Sequence, residues 1–293
     1  VSFSHNPVSK HQGLVLYDGL EHFEIIDNII LNKKNKQITN KFTHVEREYN
    51  DGTKDKIILP KGHNSLVYAL NKREEISIIL DCRKVDDMRQ FGRHYHIYEE
   101  NGNIIVEFVK KTDSREDNSN DEEEFRIFLV LHPDTRTNEY KKVENWFEEN
   151  YSYDEQRVFS PQSRYVYHAL DIQCQRLICS FGTTKTSALQ ELDKILNNFD
   201  RAVKQEERHH ILSKHFKKTW AGETGFARLA AVNSMLTLKN DATYNGIYAG
   251  MYWFRQFWSR DELISLNSFI KLGDYPFVKQ VLFRWLALSL GPL

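Results

Sequence analysis

The stretch from Gly246 to Ser265, GIYAGMYWFRQFWSRDELIS, concentrates residue types that could hold a sugar. Tyr248, Tyr252, Trp253, Phe254, Phe257 and Trp258 crowd into it, against 13% aromatic residues in the whole chain, and Arg260 and Asp261 follow directly. A pyranose has apolar C–H faces and a rim of hydroxyls. Aromatic rings cover the faces, while a guanidinium and a carboxylate divide the hydroxyls between donor and acceptor. Ser259 followed three residues on by Glu262 reads as a capping box, which makes Arg260 and Asp261 the first two residues of a helix. The helix N-terminus would keep the Asp261 carboxylate ionised. An aromatic loop feeding an ordinary core helix accounts for the same composition without a ligand.

The segment Ile247 to Asp261, the helix after it, and the turn Gly273-Asp274-Tyr275-Pro276-Phe277 resemble the glycogen debranching family, the amylo-α-1,6-glucosidases. Tyr248, Ala249, Gly250, Trp253, Phe254, Arg260, Asp261, Leu263, Ile264 and Ser265 match that family's aromatic and Arg-Asp pattern. Met251 stands where a Tyr is common, and Phe257-Trp258-Ser259 where Trp-Gly is common. The resemblance implies that Arg260 and Asp261 clamp the hydroxyls of a terminal glucose and that Tyr248, Trp253 and Trp258 are platform rings. It also implies an α-glucan or oligosaccharide substrate and inverting hydrolysis, with two carboxyl groups roughly 6.5 to 9.5 Å apart. In the family those two carboxyls come later than the Arg-Asp motif, so no catalytic residue is assigned within the chain and the acid and base are expected beyond residue 293.

The elements that must position these residues read as β first and α second. Short apolar runs at Phe23–Ile26, Ile57–Leu59, Leu66–Leu70, Ile76–Leu80, Ile104–Val109 and Phe125–Leu131 are punctuated by turn signals. Asp51-Gly52 and Asn101-Gly102 are hairpin dipeptides. A helix is expected from about Asn138 to Tyr151, and a longer strand from Arg164 to Ser180. The segments Leu80-Asp81-Cys82-Arg83 and Arg93-His94-Tyr95-His96 resemble the amino-terminal sandwich of debranching enzymes.

Residues 1–182 are therefore expected to form an antiparallel β-sandwich, residues 183–222 a helical linker, and residues 223–293 the start of an (α/α)6 barrel. Ser187 and Gln190 read as a second capping box opening a helix at Ala188. Helices are expected from Phe226, over Arg260–Leu272, and over Tyr275–Leu290 with Phe277, Val278, Val281, Leu282, Trp285 and Leu286 inward. The fold class is thus multi-domain, β then α, with the barrel incomplete and a longer enzyme expected. A complete helical cap on the sandwich is the alternative.

Composition narrows the function classes. The chain has 293 residues, 40% of them hydrophobic, enough for two domains. Forty basic residues against forty-one acidic give a net charge of −1, which lacks the basic excess of a nucleic-acid binder. Cys82, Cys174 and Cys179 suggest neither a disulfide framework nor a zinc site, so a reduced, cytoplasmic setting is expected. No apolar run reaches membrane-spanning length, and no cofactor is implied, because inverting hydrolysis needs carboxyl groups and water.

Other features have plainer explanations. Gly182-Thr183-Thr184-Lys185-Thr186 lacks the second Gly of a phosphate loop. The acidic run Asp113 to Glu124 lacks the central Gly of a calcium loop and reads as a solvated hairpin tip. His94 and His96 share a strand face without a third ligand, so no metal is expected, and His209 and His210 sit in a polar helical stretch. Glu262 and Asp274 read as capping groups, Trp285 as core, and Asp241 as the nearby acid without a structural task. A non-catalytic carbohydrate-binding or regulatory protein is the alternative function.

Overall fold

The computed structural model describes residues 9–18, 21–40, 44–60, 63–112, 122–134, 139–200, 236–237, 246–247, 249, 257–271 and 273–290. The chain divides into two compact units, one of Val1–Leu59 with Asn64–Asn198, the other of Pro60–His63 with Phe199–Leu293.

The first unit is an eleven-stranded antiparallel sheet. Its strands are β1 (Leu14–Asp18), β2 (Glu21–Ile30), β3 (Asn35–Asn40), β4 (His44–Tyr49), β5 (Lys54–Ile58) and β6 (Ser65–Lys84), then β7 (Arg93–Glu100), β8 (Asn103–Lys111), β9 (Glu123–Pro133), β10 (Tyr140–Asn150) and β11 (Ser163–Gly182). The main ladder runs β3-β4-β5-β6-β11-β9-β8-β7, with β2 joined to β6, β1 to β2, and β10 to β11.

The two twenty-residue strands β6 and β11 are the spine. The first half of β6 pairs with β5 and its second half with β2. Likewise β11 pairs with β10 along its first half and with β9 along its second. Thus Leu66–Leu70 and Ile76–Leu80, two apolar runs in the sequence, belong to one strand. Ring contacts between Tyr95 and Tyr167, and between Phe23 and Phe125, join strands that are not ladder neighbours, so the sheet folds back over its own core. Ile25, Ile29, Leu66, Ile78, Leu80, Val106, Leu129 and Leu177 fill that core. Asn101 (φ 50°) and Gly102 (φ 75°) form the expected tight turn between β7 and β8.

The helix expected from Asn138 to Tyr151 is instead β10. Its charged residues carry no strong strand preference, but ladder bonds to β11 decide the conformation at a half-solvated edge. Trp146 stands opposite Tyr167, while Glu149 stands opposite Arg164 on the other face. A short helix α1 (Ser152–Gln156) follows. Helix α2 (Lys185–Asn197) packs on β11 and β9. Its N-cap is Thr184, with Ser187 as the reciprocal partner, three residues before the expected cap.

In the second unit, β12 (Leu236–Thr237) pairs with β13 (Gly246–Ile247), and α3 (Ser259–Lys271) is followed by α4 (Tyr275–Leu290). The expected first helices of an (α/α)6 barrel are not borne out: the described chain is predominantly antiparallel β, with four helices among the described residues. The reason is visible in α3 and α4. Leu266, Phe269, Phe277, Val278 and Val281 make one shared seam, whereas a helix inside a ring packs on both flanks. Leu282 and Leu286, expected inward, are exposed. The expected helix from Phe226 lies outside the described residues.

The buried polar groups of the sheet unit are organised by Asp81. Its carboxylate accepts from Arg83 Nε at 2.8 Å, Arg93 Nη1 at 2.9 Å, and Arg164 Nε and Nη2 at 2.9 and 3.1 Å. All four side chains are essentially shut off from solvent. Arg83 also reaches Glu24 at 2.6 Å and the carbonyl of Lys10 at 2.7 Å. A second buried carboxylate, Asp55, accepts from Arg47, Tyr49 and Tyr68.

Burial alone would raise the Asp81 carboxyl, but Arg83, Arg164 and Arg93 outweigh it and hold it well below the usual carboxylate range. Its contribution to stability is therefore present above the unfolded value of about 4 and is lost as pH falls through the folded one. Asp81→Asn strands three guanidinium groups and is expected to cost about 3 to 5 kcal/mol in urea unfolding. Asp171→Asn, at a partly exposed carboxylate on Ser77 and His168, should shift the same midpoint far less.

Candidate functional site

The best-placed group of sequence-predicted residues lies at the start of α3. The carbonyl of Trp258 accepts from the amide of Glu262 at 2.9 Å, so the helix begins with Trp258 as its cap and Asp261 in its third position. Three side chains present themselves there. Trp258 is 41% exposed, the Arg260 side chain is 73% exposed, and Asp261 is partly buried with Oδ2 3.4 Å from Arg260 Nη2. That oxygen is shut off from solvent and has no hydrogen-bond donor among the described residues. A carboxylate in the first turn is stabilised by the free amides and dipole of the helix.

Glu262 has a different task from the expected capping box. It is fully buried and accepts from the backbone N–H of Ile247 at 2.6 Å, from Trp285 Nε1 at 2.7 Å, and from the Arg284 guanidinium. One carboxylate thus ties the first turn of α3 to β13 and to the middle of α4. Arg284 also lies 4.6 Å over the Phe257 ring and 5.3 Å from that of Trp285. A Cβ on Gly246 would fall 2.5 Å from the Phe257 ring and 2.6 Å from the Arg284 guanidinium, so a side chain there would have to displace one or both. Burial pushes the Glu262 carboxyl up, against the lowering influence of the Ile247 amide, Arg284 and Trp285.

The turn between α3 and α4 follows the expected chemistry. Gly273 has φ +75°, and the Asp274 amide reaches back to the carbonyl of Phe269 at 3.0 Å, closing α3. Asp274 Oδ1 then accepts from the Phe277 amide at 3.4 Å and caps α4.

The structure places Trp258, Arg260 and Asp261 at the start of one helix, with Arg260 and Asp261 in contact. Tyr248, Trp253 and Asp241 lie outside the described residues, as do the acidic tip 113–121 and His209 and His210. His94 and His96 are exposed on β7, and no group of three potential metal ligands occurs among the described residues. Cys82, Cys174 and Cys179 are buried free thiols, and burial pushes Cys174 up to about 12. Ser77, Asp171 and His168 come together, but both Ser77 Oγ and His168 Nε2 bond to Asp171 Oδ1, at 2.5 and 2.7 Å. With the carboxylate between them, the histidine does not touch the hydroxyl it would have to activate. No described helix is long and apolar enough to cross a membrane.

Sequence reasoning missed the roles of Glu262, Arg284 and Trp285. The only sequence signal was a charged residue, Arg284, beside Trp285 within an apolar helix, and a local cap offered a nearer explanation for Glu262. No family model, curated protein or solved structure matches the chain.

Glu262→Ala leaves Arg284 buried without its carboxylate and is expected to destabilise this unit by about 3 to 5 kcal/mol. The loss should be followed as a change in Trp fluorescence during unfolding. Arg260→Ala, at an exposed side chain, should leave the unfolding midpoint unchanged.

Proposed function

We propose that the chain recognises glucose units of an α-glucan through Arg260, Asp261 and Trp258, as part of a glycoside hydrolase of debranching type acting on α-1,6-linked glucose. The observation that carries this reading is the presentation of these three residues on one anchored helix start. Arg260 offers a fork of donors and Trp258 a ring that is 41% exposed. Asp261 supplies a partly exposed carboxylate beside the guanidinium, with Oδ2 turned inward and 3.4 Å from Arg260 Nη2. These complement the hydroxyl rim and C–H face of a pyranose. Glu262 supports the reading by fixing the turn on which they sit, since a recognition group held on a rigid element needs less ordering when ligand arrives.

In this reading Arg260 and Asp261 hold hydroxyls and are neither the acid nor the base. The resemblance to amylo-α-1,6-glucosidases supplies the hydrolytic half of the proposal, and the Arg-Asp-Trp group supplies the recognition half, which does not require a helical barrel.

Maltohexaose titrated into the full chain is expected to give a saturable change in Trp fluorescence. Removing a charged hydrogen-bonding partner costs about 1.5 to 3 kcal/mol, so Arg260→Ala and Asp261→Ala should each weaken binding about ten- to a hundredfold. Unchanged affinity in both variants would remove the assignment. Release of glucose from a branched dextrin, with the anomer followed by NMR, tests hydrolysis separately. Saturable binding without release would favour a binding protein over an enzyme.

A further inference from the structure

A second group of buried carboxyls in the sheet unit is used neither for sugar recognition nor for the Asp81 cluster's own pairing. Asp27 on β2 is fully buried, and Glu149 near the end of β10 is almost so. These strands are not ladder neighbours, yet the two carboxyl groups lie within hydrogen-bond reach of each other. No N–H or hydroxyl donor reaches Glu149 Oε2 among the described residues. Asp27 receives Gln12 Nε2 at 3.3 Å and, weakly, the Tyr151 hydroxyl at 3.4 Å.

Two carboxylates are both acceptors, so a hydrogen bond between them requires one shared proton. Glu24, Asp27, Asp81, Glu149 and Asp154 are five buried carboxyls in this region. Buried cations near them include Lys10, Arg83, Arg93 and Arg164. The arginines are directed to Asp81, Glu24 and backbone carbonyls, and Lys10 to the Ser160 carbonyl. Without a proton between them, Asp27 and Glu149 would be two carboxylates facing each other in a buried interior.

The pair also lies where two covering segments meet. Asp154 accepts from Ser9 Oγ at 3.2 Å and from the Lys10 amide at 2.8 Å. Gln12 and Tyr151 bring the same two segments onto Asp27. We propose that Asp27 and Glu149 form a one-proton latch that fastens residues 9–12 and 150–162 onto the sheet and releases them as pH rises. The groups facing the latch are Asp81 on β6, Glu24 on β2 and Tyr151, with Arg83, Arg164 and Lys10 behind them. Burial, reinforced by Glu149 and Asp81, pushes the Asp27 carboxyl well up, and burial also raises Glu149. The folded chain therefore keeps a proton that the unfolded chain sheds above about pH 4, and stability falls as pH rises from there towards the folded value.

The test is hydrogen exchange of the full chain from pH 5 to 9, corrected for intrinsic exchange, with residues 9–12 and 150–162 read by mass spectrometry. In the wild type the opening of these segments should increase with pH, approaching tenfold per pH unit for one linked proton. Asp27→Asn places an amide donor against the Glu149 carboxylate and should flatten that dependence. Glu149→Gln, with the donor on the other side, should do the same and carries the test where the first variant does not fold. Equal pH slopes in the wild type and a folded variant would overturn the latch. So would the absence, in wild-type protein at neutral pH, of an infrared carboxylic-acid band, which needs no variant.

Discussion

Burial of the Asp81 carboxylate beneath three guanidinium groups is the constraint on which the sheet unit depends. Arg83 leaves from the same strand, Arg93 comes from β7 and Arg164 from β11, so one side chain holds three strands by charge. A bare carboxylate could not remain ionised there, and bare guanidinium groups could not be buried at all. Each is tolerated only because the others arrive in hydrogen-bonding geometry. The cluster thereby makes the folding back of the sheet cooperative: unless β7 and β11 close over β6, the buried charges have no partners.

The same region contains charge arrangements of opposite pH sense. Asp81 is matched by cations, and its contribution fades towards acid. Asp27 and Glu149 are matched by each other, and theirs fades towards alkali. The distinction comes from geometry rather than residue type, since aspartates on adjacent strands carry opposite shifts. Tyr151 and Gln12 stand at the boundary, touching Asp27 while belonging to the segments that cover it.

In the second unit a single carboxylate again does the organising, with another consequence. Glu262 is satisfied inside the protein, whereas Arg260 faces outward and Asp261, between them in the chain, lies partly buried. Consecutive residues at the head of a helix point in different directions around its axis, so a run of Arg-Asp-Glu separates into an exposed, a partly buried and an anchoring group. The exposed Leu282, Phe283 and Leu286 on α4 show that this helix pair satisfies one seam and not a ring.

The sequence by itself determined the alternation of apolar runs, the Asn101-Gly102 turn, the stop at Gly273 and the cap at Asp274, because each depends on chemistry within a few residues. It also singled out Arg260, Asp261 and Trp258 by their types and spacing, and it marked the segments around Asp81 and Arg93 without joining them. Tertiary structure alone decided that Tyr140–Asn150 is a strand, since ladder bonds to β11 override weak local preferences. It alone merged two runs into β6, drew Arg164 to Asp81 and Asp27 to Glu149, and turned Glu262 from a local cap into an anchor. Partners such as Glu262 and Trp285, or Asp27 and Glu149, are distant in sequence, and buried charge is informative only when its partner is known. Local pattern reports what a side chain is, while the energy of burying it depends on what meets it there.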